Sequence, residues 1–173
     1  MSRLLLAAAL AALAAGAQAH VTLETAEAPV GSTYKAVLRV GHGCEGSATT
    51  RLRVRIPEGV IAVKPMPKAG WQLDTVVGAY ARPYDYYGEA LGEGVTEISW
   101  AGSLPDDYYD EFVFRATLTD GLAPGSDLFF PVVQECGDKA ARWIEIPAAG
   151  QDADSLEHPA PGLRLLPASA GGH

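Results

Sequence analysis

The residue best suited to do chemistry is His20, because it directly follows a segment typical of secretion signals. Arg3 supplies the positive start, Leu4 to Ala15 the apolar centre, and Ala17-Gln18-Ala19 the small-x-small pattern read by signal peptidase. The apolar run is shorter than the roughly 20 residues of a membrane-spanning helix. We therefore expect removal of residues 1–19, a periplasmic or extracellular location, and a mature chain that begins at His20 and has no transmembrane segment.

A chain that begins with histidine offers two nitrogens from one residue, the α-amine and the ring Nδ1, which together close a six-membered chelate around a metal ion. Both donors must be deprotonated to bind, so the metal competes with protons for them. Two nitrogens in tetragonal geometry favour Cu(II). Soft Cu(I) sites use methionine or cysteine, but the mature chain keeps only Met66. Zinc is the alternative metal, and it would require additional histidine or cysteine ligands.

The two cysteines, Cys44 and Cys136, lack the C-x-x-C spacing of redox and metal motifs. In an exported protein they meet an oxidising compartment. The sequence therefore predicts one structural disulfide that ties an early loop to a late one.

Length, charge and composition bound the remaining possibilities. The chain has 173 residues, 48% of them hydrophobic, and 13 Lys and Arg against 21 Asp and Glu, for a formal net charge of -8. This composition excludes a disordered chain, and the negative charge disfavours nucleic acid as a partner. The length fits one domain.

Most of the sequence alternates between apolar and polar residues, as half-buried antiparallel strands do. Arg51 to Ile56 is the clearest case, with three arginines facing water and three aliphatic side chains facing the core. Comparable runs are Val21–Glu24, Tyr34–Val40, Val60–Lys64, Trp71–Val77, Val95–Trp100, Glu111–Leu118, Leu128–Val133 and Arg142–Ile146. We expect a single all-β sandwich of the immunoglobulin or cupredoxin type, with eight or nine strands, over residues 20–147.

Three further segments are predicted to lie outside the strands. Residues 148–173 are rich in Ala, Gly, Pro and Asp and are expected to form a flexible C-terminal tail, in which Leu163–Leu166 is the one apolar patch. Tyrosine-rich loops are expected at Ala79–Gly94 and Pro105–Glu111. Their tyrosines would either form a contact surface or cover a sandwich edge with their hydroxyls in water.

Several motifs, taken together, resemble the YcnI-like copper-binding domain family, and the resemblance extends from His20 to about Pro147. The family is similar to this chain at His20-Val21-Thr22-Leu23, Ala28–Ser32, His42–Ser47, Ile56–Val60, Pro67–Trp71, Asp110–Phe112 and Trp143. Members are secreted β-sandwich domains that bind Cu(II) through a monohistidine brace. The resemblance implies that His20 gives amine and ring nitrogen, that a carboxylate gives oxygen, and that a tryptophan stands beside the metal.

Carried onto this sequence, the tryptophan is Trp143, whose indole N–H is a donor and cannot ligate; it would cover the metal or orient a ligand. For the carboxylate we expect Glu45, because the loop after Cys44 would be brought near the strand of Trp143 by the disulfide. Glu24 and Glu27 are alternates. His42 is either a further ligand or a solvated loop histidine.

These inferences predict a secreted or periplasmic Cu(II)-binding protein that buffers the ion or delivers it to another periplasmic copper carrier or a membrane copper transporter. We expect no enzymatic activity, because the histidine brace of copper monooxygenases needs a second histidine on a strand and the predicted core strands carry none. That oxidative enzyme remains one alternative, and a metal-free adhesion or scaffold sandwich is the other.

Overall fold

The computed structural model describes residues 20–169, so the predicted signal peptide lies outside the described residues, as do residues 170–173. Within that range the chain forms twelve strands and one short 3-10 turn at Ala153–Ser155. In chain order the strands are β1 Thr22–Leu23, β2 Glu27–Pro29, β3 Thr33–Val40, β4 Thr49–Arg55, β5 Val60–Pro65, β6 Gln72–Tyr86, β7 Glu89–Leu104, β8 Asp110–Leu118, β9 Asp127–Phe129, β10 Val132–Cys136, β11 Lys139–Trp143 and β12 Gly162–Leu166.

The strands are arranged in three sheets, with orders β1-β3-β8-β5, β11-β10-β4-β7-β6 and β2-β12-β9. The first two sheets contribute to one buried core: Leu38, Phe112 and Phe114 come from the first sheet, and Leu52 and Trp100 from the second. Two sheets that share one apolar interior form a sandwich. The predicted all-β sandwich is confirmed, although the described residues form twelve strands and not the eight or nine expected, because short strands such as β1, β2 and β9 and the returning β12 were not counted.

Alternation along β4 shows why these residues form strands. Leu52 and Val54 are fully buried, whereas Arg51 and Arg55 are exposed and Arg53 lies half-buried in an ion pair with Glu135. A strand with one apolar face and one charged face buries the first and exposes the second to water only when its sheet forms one layer of a sandwich.

The predicted disulfide is confirmed. Cys44 and Cys136 are bonded, with their Cα atoms 5.8 Å apart, and both are buried. The bond joins the end of β10 to a tight turn in which the backbones of Cys44 and Ser47 exchange two hydrogen bonds of 3.0 Å. It fixes the loop between β3 and β4 to the β10–β11 hairpin.

The predicted loop at Ala79–Gly94 is wrong. β6 and β7 are one long antiparallel hairpin that turns at Tyr87 and Gly88. The glycine at Gly94 indicated a turn from sequence, but in the structure it lies inside a strand, where a Cβ would collide with the Tyr80 hydroxyl. Glycine in the interior of a strand often marks a place where another group approaches the backbone closely.

Two other predicted strands differ from the observed ones. The run predicted at Leu128–Val133 is split between β9 and β10, because Pro131 has no N–H to donate and the chain passes from one sheet to another there. The run predicted at Arg142–Ile146 ends at Trp143.

The predicted flexible tail is also wrong over its described part, because the chain returns to the domain after residue 160. β12 pairs in parallel with β2 and antiparallel with β9. Leu163 and Leu165 are 0% and 1% exposed and belong to the main core. The folded domain therefore includes the apolar patch that composition alone assigned to a tail.

We predict that Leu163→Ala lowers the free energy of unfolding by about 2–5 kcal/mol, because it leaves a cavity in a closed core. Arg164→Ala is the matched control: its side chain is half exposed and pairs with Asp127 at the surface, so we expect a change below about 1 kcal/mol. Urea denaturation followed by circular dichroism measures both. Equal midpoints for Leu163→Ala and the unsubstituted protein would show that β12 does not contribute to the core.

Candidate functional site

Trp143 lies at the end of β11 and contacts two imidazole rings. The ring centroids of His20 and Trp143 are 5.4 Å apart at an interplanar angle of 57°, and those of Trp143 and His158 are 5.2 Å apart at 78°. Trp143 is 5% exposed, while both histidines are half-buried. The three rings, called here the indole cluster, bring together the N-terminal residue of the expected mature chain and the segment before β12.

Packing at the start of β1 positions His20. Val21 and Leu23 are 2% and 5% exposed in the main core, and β1 pairs with β3 at Thr22 opposite Arg39. Because Val21 is anchored, the residue before it has little freedom to leave the sandwich edge.

A second set of contacts, centred on Glu145, positions His158. The Glu145 carboxylate accepts a hydrogen bond from the His158 backbone N–H at 2.6 Å, and the Glu145 N–H donates to the His158 carbonyl at 3.1 Å. The Ala160 N–H donates in turn to the Glu145 carbonyl at 2.8 Å. These bonds hold the segment against the chain two residues after Trp143.

Buried beneath the indole cluster is Gln134, a residue that the sequence analysis did not select. Its side-chain oxygen accepts the Trp143 indole N–H at 3.1 Å, and its amide nitrogen donates to the Thr49 hydroxyl and to the His42 carbonyl, each at 2.7 Å. Gln134 is 1% exposed and Thr49 is 0% exposed. The network satisfies every hydrogen-bonding group of the Gln134 amide inside the sandwich and fixes the indole plane.

Gln134 could have been found from the strand pattern. In β10 the inward positions are Val132, Gln134 and Cys136, so a polar amide occupies a position where alternation requires an apolar side chain. Such a residue needs partners from neighbouring elements, and here it links the strand of the tryptophan to the loop that carries His42.

The structure places Glu45 away from the indole cluster. It occupies the tip of the Cys44–Ser47 turn with a left-handed backbone φ of 48° and a side chain that is 84% exposed. Its carboxylate pairs with the Lys139 ammonium at 3.2 Å. Lys139 precedes Trp143 by four residues on β11, a distance of roughly 13 Å along a strand.

The other candidate ligands, Glu24, Glu27 and His42, lie in or next to the first strands of the chain. Glu24 is exposed just after β1 and donates its N–H to the Val37 carbonyl at 3.0 Å, and Glu27 is exposed in β2 opposite Arg164. His42 is half-buried, with its ring Nδ1 against the Gly43 carbonyl. Among residues 20–169, no group of three or more His, Cys, Asp or Glu side chains is arranged so that it could hold a metal ion.

The tyrosines of the two predicted loops differ in burial. Tyr84 is buried and donates its hydroxyl to Glu58 at 2.6 Å, so it covers an edge of the sandwich. Tyr87 is 87% exposed at the hairpin turn and lines, with Tyr86, a groove of about 630 Å³. Tyr108 and Tyr109 are more than half exposed.

None of the helical segments among residues 20–169 is long and apolar enough to cross a membrane.

We predict that Gln134→Leu lowers the free energy of unfolding by about 3 kcal/mol, because the Trp143 N–H, the Thr49 hydroxyl and the His42 carbonyl each lose the hydrogen bond to Gln134 inside the sandwich. Gln72→Leu, at an exposed position, is the matched control and should change stability by less than about 1 kcal/mol. Urea denaturation read by tryptophan emission gives both values. Coincident curves for the two variants would mean that the network does not hold the indole.

Comparisons with known proteins support the fold and identify the family. A solved structure from Nocardia farcinica, described as an uncharacterized protein with an immunoglobulin-like fold, is similar at 25% identity and a TM-score of 0.61, covering 85% of this chain and 98% of that one. None of the curated proteins matches. Residues 20–165 match the family model described as Domain of unknown function (DUF1775). The chain therefore belongs to the DUF1775 family, the domain family found in YcnI-like proteins.

Proposed function

We propose that this protein is an exported Cu(II)-binding protein that buffers the ion or delivers it to another carrier or a membrane transporter. The observation that carries the proposal is the contact between His20 and the Trp143 indole at 5.4 Å. The DUF1775 match begins at the same histidine. Cleavage after Ala19 would convert the His20 backbone nitrogen from an amide into an amine, and so create the chelate at this position.

In this proposal each residue has a definite part. The His20 amine and ring Nδ1 bind Cu(II), because these borderline nitrogen donors suit that ion. Trp143, fixed by Gln134, presents an oriented apolar ring beside the chelate and limits access of water. In this proposal Glu45 supplies the oxygen, which requires that its carboxylate leave the weak, exposed ion pair with Lys139 and that the Cys44–Ser47 turn move toward His20, because the turn lies away from the indole cluster.

We propose binding rather than catalysis. Among residues 20–169 the strands carry no histidine, because His42 precedes β4 and His158 precedes β12. If the protein were a copper monooxygenase, the copper-loaded protein would oxidise chitin or cellulose when given a reductant. Our proposal predicts no such oxidation. A metal-free scaffold predicts no tight binding of the ion.

The first prediction concerns the chain terminus. Protein that begins at His20 should bind one Cu(II) per chain, and calorimetric titration should show that a single Gly added before His20 weakens binding by at least a hundredfold, since the amine becomes an amide. Excess Cu(II) should raise the melting temperature of the protein that begins at His20 but not of the protein with the added Gly. At a free Cu(II) concentration of 100 times Kd, binding adds about 2.7 kcal/mol to the stability of the folded state. Equal affinity of the two forms would contradict the chelate.

A second prediction tests the oxygen donor. Glu45→Gln should raise the Kd for Cu(II) about tenfold, because it removes an anionic ligand while keeping the side-chain size. Glu24→Gln and Glu27→Gln are matched controls and should leave the Kd within twofold. If either control weakens binding while Glu45→Gln does not, the carboxylate has been assigned to the wrong residue.

A further inference from the structure

The groove of about 630 Å³ at the end of the β6–β7 hairpin is separate from the proposed copper chelate, because no residue of the indole cluster lines it. The hairpin contributes Tyr84–Tyr87 to its lining. The start of β3, the end of β8 and the turns beside them contribute most of the rest. The volume lies within the range of roughly 300–1,000 Å³ that small-molecule sites occupy in proteins. The groove is therefore large enough for a small organic ligand.

Two carboxylates line this groove without a cation to pair with. Asp85 on β6 and Asp120 after β8 are both exposed. Within residues 20–169 neither forms an ion pair, and no Lys or Arg lines the groove. Two arginines contact lining residues from outside: Arg115 donates to the Thr33 hydroxyl at 3.4 Å, and the Arg82 guanidinium lies 5.1 Å from the centroid of the Tyr84 ring. The charge of the lining residues is negative and favours a positively charged ligand.

Neither burial nor turn geometry explains the tyrosine at the hairpin tip. Tyr87 is 87% exposed and has a left-handed backbone with a φ of 55°. A two-residue hairpin turn favours Asn, Asp or Gly in this conformation, so a tyrosine here costs conformational energy and gains no burial. The neighbouring Tyr86 ring contacts it edge to face, with the centroids 4.7 Å apart. Because the face of an aromatic ring attracts a cation, the pair suits the same class of ligand as the carboxylates.

A buried hydroxyl without a partner also lines the groove. Thr119 is 7% exposed, and its Oγ1 makes no hydrogen bond within residues 20–169. Its backbone N–H donates to the Gly59 carbonyl at 3.0 Å, so the side chain alone lacks a partner. Buried polar atoms without partners are rare in folded proteins and call for an explanation such as a bound water or ligand. An ammonium group has three N–H donors for such an oxygen.

We propose that this groove binds a small organic cation whose ammonium groups pair with Asp85 and Asp120 and contact the rings of Tyr86 and Tyr87. The carboxylates provide the opposite charge, and the rings provide cation–π attraction. A neutral sugar would use the rings but leave both charges unpaired, and an anion would be repelled by them. The inference does not depend on the proposed function, because the groove shares no residue with the chelate at His20.

The test is a titration of the chain that begins at His20, without Cu(II), with spermidine as the probe. Salt at about 150 mM screens exposed charges that are more than about 8 Å apart, and so suppresses diffuse attraction to an acidic protein. Two-dimensional NMR of the backbone amides locates the binding. We expect saturable shifts at amides that line the groove, such as those of Gly31, Thr117 and Asp120.

Substitutions separate this site from general surface charge. Asp85→Asn and Asp120→Asn should each raise the Kd for spermidine about fivefold, whereas Asp107→Asn, at an exposed carboxylate outside the groove, should leave it within about twofold. Tyr87→Ala should also raise the Kd about fivefold, and Tyr87→Phe should keep the native value because the aromatic face remains. Tyr108→Ala, at an exposed tyrosine outside the groove, is the matched control for the ring.

Thermal melts check that each variant is folded. The proposal is overturned if spermidine shows no saturable binding, if the shifts spread over exposed carboxylates outside the groove, or if Asp107→Asn weakens binding as much as Asp85→Asn does. It is also overturned if cellotriose shifts the amides of the groove and spermidine does not, because the groove would then take a neutral sugar. None of these results bears on copper binding, which the Gly extension before His20 tests by itself.

Discussion

The hydrogen bond from the Trp143 indole N–H to the buried Gln134 amide is the constraint on which the candidate site depends. An indole at the end of an edge strand could adopt several rotamers, but this one has its polar atom committed to a partner that is itself bound to Thr49 and the His42 carbonyl. Removing one side chain of this hydrogen-bond network leaves the polar groups of its partners unsatisfied in a low-dielectric interior. The rigid indole is then a fixed surface against which two chain segments can pack.

Those two segments are distant in sequence, and the sandwich brings them together through different elements. β1 pairs with β3, so His20 arrives on the first sheet, whereas β11 ends on the second sheet with Trp143. The segment after β11 crosses the edge between them and continues as β12 beside β2. The Cys44–Cys136 bond holds the His42 loop against the same hairpin. A site at the junction of sheets is consequently built from termini and connections rather than from the middle of strands.

Part of this arrangement could be predicted from sequence because it follows from local rules. The alternation in Arg51–Ile56 predicted β4, and export chemistry predicted the disulfide, since both depend on residue type alone. The inner parts of β6 and β7 were predicted as strands, but their continuation through residues 79–94 was missed. These residues are largely exposed, so apolar and polar residues do not alternate, and Gly94 suggested a turn although it allows the close approach of Tyr80. β12 was missed because its partners, β2 and β9, are short strands far away in sequence.

The candidate site shows the same division. His20 and Trp143 could be selected from sequence by position and resemblance, but the role of Gln134 depends on three partners in other elements, and the position of His158 depends on contacts to Glu145 that only the folded chain forms. Glu45 was selected by its proximity to Cys44, whereas the tight turn directs its side chain to Lys139. Long-range geometry, more than residue chemistry, decides which donors meet.

All of the proposed chemistry requires a primary amine on His20. The most direct measurement is intact-mass analysis and N-terminal sequencing of the protein recovered after export. We predict a first residue of His20, with residues 1–19 absent. A first residue at any other position would contradict the account, because the nitrogen of His20 would then be an amide or the histidine would be missing.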